Sequence, residues 1–391
     1  MSQRLISRSD DLRQLRDEGY DVTIQAGYLL LRSVPFVTAT REIARGTLIS
    51  KLTLAGDATT TPDDHVAYFI GEYPCRSNGS PITQIANQSG RVQLTTDLAV
   101  DHTFSSKPAG GRYADYHEKM TTYVAILASQ AEAIDPHATA QIFPVIKTEE
   151  DESVFHYIDT AASRAGIASV TQKLELGRIA IVGLGGTGSY VLDLVAKTPV
   201  REIHLYDGDA FLQHNAFRSP GAPAIEELLL RQTKVARFAE MYSHIHKRIV
   251  PHAYKIDESR VDELRDAEFV FLCLDSGRAR RLIIERLEAF GRAFIDVGMG
   301  VDLIDGSLGG ILRVTTSTTV KRGHIRERIS FTDGDDDDYA ANIQIADLNA
   351  LSAALAVIKW KKLYGFYRDL EHEHNTTYTI DGNIITNDEQ A

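Results

Sequence analysis

The chain has 391 residues, 43% of them hydrophobic, and a net charge of −12. That length predicts two or three domains of roughly 100–200 residues, with a core large enough to need no disulfide or metal staple. Only two cysteines, Cys75 and Cys273, are present, which excludes a disulfide framework, a four-cysteine zinc site and an iron–sulfur cluster and fits a reducing, cytoplasmic setting.

Residues 1–148 read as a mixed α+β domain. Asp10 to Glu18 predicts a short helix stopped by Gly19. Three runs rich in β-formers follow: Tyr28 to Val34, Thr47 to Leu54 and Val66 to Ile70. Met120 to Ala133 predicts a helix that ends before Pro136. An acidic run, Glu149 to Glu152, marks the boundary.

From there the rhythm changes. Strands are expected at Arg178 to Val182, Glu202 to Tyr206, Ile249 to Ile256, which alternates, Phe269 to Leu274 and Ala293 to Val297. Helices are expected between them at Thr187 to Lys197, Glu226 to His246 and Arg278 to Phe290. Such alternation implies a parallel sheet covered on both faces: a doubly wound, Rossmann-like α/β domain over residues 149–391. Asp305-Gly306 and Asp381-Gly382 predict hairpin turns, and Ile345 to Leu363 a helix ended by Gly365. Trp360 with Leu351, Leu355 and Ile358 reads as its packing stripe. His372 and His374 read as exposed, and the carboxylates Asp335 to Asp338 as a solvated loop. No window reaches the ~18–20 apolar residues of a membrane helix, the N-terminus lacks a secretory signal's apolar core, and the acidic balance disfavours nucleic acid.

The sharpest chemical signal is Gly183-Leu-Gly185-Gly186-Thr-Gly188-Ser, between a strand and a helix. Gly183 permits a tight turn, Gly185 lets phosphate approach the backbone, and Gly188 allows close helix–strand packing. The helix N-terminus then offers N–H groups to an anion. Asp207, ending the next strand, suits ribose hydroxyls of NAD or of an adenine nucleotide equally. Arg218 and Lys234 favour a triphosphate, which needs more cationic neutralisation than a dinucleotide. Asp275, after an apolar strand, stands where a carboxylate among phosphates ligates Mg²⁺.

In this order the motifs from about Phe155 to Thr315 resemble the adenylating domain of the ThiF, MoeB and ubiquitin-activating superfamily. GLGGTGS resembles its nucleotide loop. YDGDAFLQHNAFR resembles its Asp-x-Asp…Asn-x-x-Arg pattern, through Asp207, Asp209, Asn215 and Arg218. Lys234 in TKVAR and Asp275 in CLDS match its lysine and magnesium-binding aspartate, with Ser276 replacing the usual asparagine. The resemblance implies ATP- and Mg²⁺-dependent adenylation of the C-terminal carboxylate of a ubiquitin-like protein. It also implies a homodimer, with Arg164 reaching the partner's ATP. The alternatives are a peptide or sulfur-carrier substrate, or an NAD-dependent dehydrogenase. Without paired Cys-x-x-Cys motifs no zinc is expected. Cys273 reads as core and Cys75 as a loop cysteine, so the expected chemistry is adenylation without a thioester of its own. The N-terminal half resembles the extension of ThiF-type proteins in bacterial ubiquitin-like conjugation operons, some linked to antiviral defence. That implies docking of the ubiquitin-like protein or a conjugating enzyme.

Overall fold

The computed structural model describes residues 2–148, 153–331 and 343–390. The acidic runs Glu149 to Glu152 and Asp335 to Asp338 lie outside them. The chain forms two compact units, Met1–Ile146 and Lys147–Ala391.

The first unit is built on a six-stranded antiparallel sheet. In chain order its strands are β1 (Asp21–Gln25), β2 (Tyr28–Val37), β3 (Ile43–Lys51), β4 (Val66–Ile70), β5 (Ala86–Thr95) and β6 (Leu98–Ser105). The order across the sheet is β1-β2-β3-β4-β6-β5. Three helices, α1 (Ser2–Arg8), α2 (Asp10–Asp17) and α3 (Tyr116–Glu132), belong to this unit. Leu29, Leu31, Phe36, Leu48, Phe69 and Phe104 form one core with Tyr116, Tyr123 and Leu127 of α3. The start of α3 is fixed by Asp115, whose side chain accepts from the Glu118 N–H, an N-cap that satisfies an orphan donor.

Cys75 departs from the loop reading. It is buried, pairs by backbone bridges with Val37 and Pro81, and its Sγ donates to the Tyr73 carbonyl. Burial, and then Glu72, push its thiol pKa up. A nucleophilic thiol needs the opposite shift and an open approach, so Cys75 is a packing residue.

The second unit carries an eight-stranded sheet. After the short helix α4 (Thr160–Arg164), β7 (Arg178–Val182) leads into α5 (Gly186–Val195) and β8 (Glu202–Tyr206). Helix α6 (Lys234–Ser243), β9 (Ile249–His252), β10 (Phe269–Leu272) and α7 (Gly277–Ala289) follow. The long hairpin β11 (Ala293–Ile304) and β12 (Ser307–Ser317), helix α8 (Ala346–Leu363), and the pair β13 (Asn375–Thr379) and β14 (Ile384–Asp388) complete it. The order is β9-β8-β7-β10-β11-β12-β13-β14. Strands β9 to β11 pair in parallel; the last three are added antiparallel. The unit is therefore α/β with a mostly parallel core, and its strand order reverses on the two sides of β7. Ligands in such sheets sit at the carboxyl ends beside that reversal.

Several local expectations are corrected. Residues 226–246 do not form one helix. Ile225–Leu229 stops early, Arg231 takes a left-handed φ of +48°, and α6 restarts at Lys234 with Thr233 capping Ala236 N–H. A backbone bridge between Ala210 and Thr233 holds the break in place. In α8 the buried face is Asn349, Ala353, Ala356, Val357 and Trp360, whereas Ile358 is exposed. His374 is buried and contacts Thr318 Oγ1, while His372 is exposed. Asp305-Gly306 makes the β11–β12 turn with both φ positive. In the last hairpin the left-handed residue is Asn383, not Gly382.

The fully buried His246 gives this unit a pH dependence. Its Nε2 donates to the Val200 carbonyl at 2.8 Å and its Nδ1 accepts from the Arg248 N–H at 3.1 Å. Only the neutral ring satisfies both, and burial lowers its pKa. Burial likewise lowers His204 and His252. In the unfolded chain these rings bind protons near pH 6.5, while the folded rings resist to lower pH. The unfolded state therefore binds more protons in that window, and stability falls as pH drops below about 6.5. Urea midpoints at pH 7.5 and 5.5 check this; a flat profile contradicts it.

Candidate functional site

At the carboxyl ends of β7, β8 and β10 lies a cleft of about 620 Å³. Its floor is the turn after β7. Gly183 has φ +91°, and a Cβ there would stand 2.4 Å from the Cys273 carbonyl oxygen. A Cβ on Gly188 would stand 1.9 Å from the Gly183 oxygen, and one on Gly186 would strike the Asn349 amide. At Gly185 nothing lies within 4 Å, so a side chain there would project into open space. The four glycines thus do different work. Gly183, Gly186 and Gly188 let turn, helix and neighbours close up, while Gly185 leaves an approach to the backbone open. Gly188 itself packs behind the turn and does not border the cleft. Gly188→Ala should cost about 1–3 kcal/mol from overpacking, read as a lower urea midpoint; an unchanged midpoint contradicts the packing.

Asp207 fastens this turn. Its Oδ2 accepts the Leu184 N–H at 2.7 Å and its Oδ1 the Asp209 N–H at 2.8 Å. The carboxylate borders the cleft but is already engaged on both oxygens. Lys234 Nζ lies 2.8 Å from Asp209 Oδ2 and 3.5 Å from Asp207 Oδ2. Because the helix breaks before it, Lys234 is the first residue of α6, and its N–H donates to the Asp209 carbonyl. The mid-helix break is what aims this ammonium at the cleft. Lys255, which the sequence reading missed, pairs with Asp209 Oδ1 at 3.1 Å from the opposite side. Burial alone would raise the Asp209 carboxyl, but Lys234 and Lys255 outweigh it and hold it below its usual range.

Arg218 borders the same cleft, half-buried. Burial lowers its pKa and the nearby Asp275 charge opposes that shift. Asp275 is exposed at the rim, and Ser276 caps α7 through the Ala279 N–H. Asn349 of α8 accepts from Thr187 Oγ1 at 2.9 Å and donates to the Arg218 carbonyl at 3.4 Å, tying α8 to the glycine turn. A polar residue on the buried face of a helix was the sequence signal for it.

Of the residues read from sequence, Gly183, Gly185, Gly186, Asp207, Asp209, Arg218, Lys234 and Asp275 border this one cleft. Asn215 does not. It is buried beneath the loop, where its Oδ1 accepts the Leu212 N–H at 2.8 Å and shapes the approach to Arg218. Arg164 ends α4 and does not border the cleft either. Cys273 stands one residue beyond the end of β10 at the cleft wall, not within the strand. Burial, then Asp296, keeps its thiol strongly protonated.

The cleft lies at the strand-order reversal of an α/β domain, where ligands sit in such sheets, floored by a glycine turn and ringed by cations and carboxylates. Residues 159–325 match the model of the ThiF family. Residues 10–160 match a domain of unknown function, DUF6791. Among solved structures, E. coli MccB with ATP is similar at 17% identity and a TM-score of 0.47, over 59% of this chain and 70% of that one. PaaA is similar at 16% identity and a TM-score of 0.45, over 56% of this chain and 75% of that one. No curated protein gives a sequence match. Among the described residues no helix is long and apolar enough to cross a membrane.

Proposed function

We propose that this chain binds ATP in the cleft and adenylates the C-terminal carboxylate of a protein or peptide, a ubiquitin-like protein being the substrate of choice. The observation that carries the reading is the convergence of Lys234, Arg218, Lys255 and Asp275 above an open Gly185. The ThiF-family match of residues 159–325 supports it.

The chemistry assigns each group a task. A carboxylate oxygen of the acyl substrate attacks the α-phosphorus of ATP. A new P–O bond forms, and the bond from the α-phosphorus to the bridging oxygen breaks. Pyrophosphate leaves with the electron pair. Anion attacks anion, so cations fixed in place lower the barrier. Lys234 and Lys255 exchange their contacts with Asp209 for phosphate oxygens, and Arg218 adds a third cation. Asp207 keeps the glycine turn in register and turns its remaining lone pairs to the ribose. One exposed carboxylate among phosphates fits Mg²⁺, which binds through one or two carboxylates and substrate oxygens; Asp275 would hold it, and the ion would supply further charge neutralisation.

ATP–pyrophosphate exchange by the full chain, with a panel of Gly-ended ubiquitin-like proteins and short peptides, tests this reading. Exchange that requires one of these acyl partners is the expected result. Binding of NADH in place of ATP would refute it.

A further inference from the structure

The cleft has a second cationic wall that the nucleotide does not need. On β11, Asp296 is wholly buried. Two guanidiniums close on it: Arg280 Nε at 2.9 Å from Oδ1, and Arg313 Nη2 at 2.6 Å from Oδ2. Arg280 is further fixed by the carbonyls of Ser330, at 3.1 Å, and Leu274. Arg313 Nη1 donates to Thr315 Oγ1. Among the described residues, one carboxylate thus faces two guanidiniums at this wall. Arg328, also on the cleft border, is matched by Glu389 at 2.9 Å.

Of the two guanidiniums, Arg313 is the more exposed, and it borders the cleft. Gly298 and Arg313 are direct cross-strand partners, and a Cβ on Gly298 would stand 2.7 Å from Arg313 Nη2. The guanidinium therefore lies along a strand surface that has no side chain of its own. In the next row Gly300 pairs with Ile311, again leaving the β11 side bare, and both border the cleft. This wall stands two strands from the glycine turn across β10, about 10 Å at ordinary strand spacing. Arg313 has N–H donors beyond those given to Asp296 and Thr315, and a phosphate seated on that turn leaves them to another anion.

We infer that Arg313, held flat over Gly298 by Asp296, is the anchor for the acyl substrate: it receives the terminal carboxylate of a chain that ends in small residues and then holds its carbonyl oxygen after adenylation. This rests on the adenylation reading. A planar guanidinium suits a carboxylate, which it can meet with two parallel donors. The bare row at Gly300, next to the guanidinium over Gly298, suits an extended tail without bulky side chains. Arg313 is a specificity residue, and Asp296 and Gly298 position it.

The test uses two stable probes with the full-length protein: diglycyl sulfamoyl adenosine, which mimics the acyl-adenylate, and adenosine sulfamate, which lacks the acyl part. Calorimetric titration should show the wild type binding the diglycyl compound at least tenfold more tightly. In Arg313→Gln, which leaves Asp296 paired one-to-one with Arg280, that ratio should fall toward one. Gly298→Ala should lower it in the same way by displacing the guanidinium. Arg313→Lys should recover only part of it, since an ammonium lacks the planar fork, and it serves as the test if Arg313→Gln does not fold. An unchanged ratio in Arg313→Gln, or equal weakening of both probes, overturns the inference. If neither probe binds the wild type, the nucleotide reading itself fails and the anchor falls with it.

Discussion

Asp296→Ala should destabilise the second unit by about 3–5 kcal/mol, the usual cost of leaving a buried charge without its partner. The carboxylate is fully buried, and the Arg280 and Arg313 side chains are only 10% and 19% exposed. With the carboxylate gone, two guanidiniums would face each other with no counter-charge between them, Arg280 with little access to water. Arg280 is held from three directions and has little freedom to escape to water. Urea unfolding followed by a probe in this unit checks the loss. The double variant Asp296→Ala with Arg280→Met should recover part of it, because an apolar side chain of similar reach removes one of the uncompensated charges. A loss below about 1 kcal/mol for the single variant would show that water reaches the cluster and screens it.

Lys234→Ala should lower ATP–pyrophosphate exchange by roughly 100-fold or more, since a positioned cation at developing phosphate charge is worth about 2.7–4 kcal/mol. The geometry predicts a second effect of the same change. Without ligand, Lys234 stands between Asp209 and Asp207 and separates their charges. Its removal leaves Asp209 with Lys255 alone, so the ligand-free protein should also lose stability. The two effects separate in a stability-matched comparison: Lys255→Ala removes a far more exposed partner of Asp209 and should cost less in both respects. Wild-type exchange in Lys234→Ala would remove this lysine from the phosphate site.

The strands at 178–182 and 202–206 were readable to the residue because each is a short run rich in β-formers or apolar residues that ends at a Gly or an Asp. The glycine turn was readable for the same reason: three of its glycines answer a steric demand that no other residue meets. The break before Lys234 was not, because the left-handed residue is Arg231, with no Gly or Pro to announce it. Its cause is tertiary, the bridge between Ala210 and Thr233. Lys255, Asn349 and Arg313 were missed on similar grounds. Each comes from a different element and acquires its place only when β9, α8 and β12 close around the cleft. Cys75 stood in a Gly- and Pro-rich segment that looks like an open loop, yet bridges to Val37 and Pro81 bury it.

Calorimetric titration of the full-length chain with ATP and Mg²⁺ decides whether the cleft above Gly185 is an ATP site. One saturable site is expected, weakened strongly in Lys234→Ala and Arg218→Ala and little affected by Cys75→Ala. Absence of ATP binding, or binding that survives unchanged in Lys234→Ala, would contradict it.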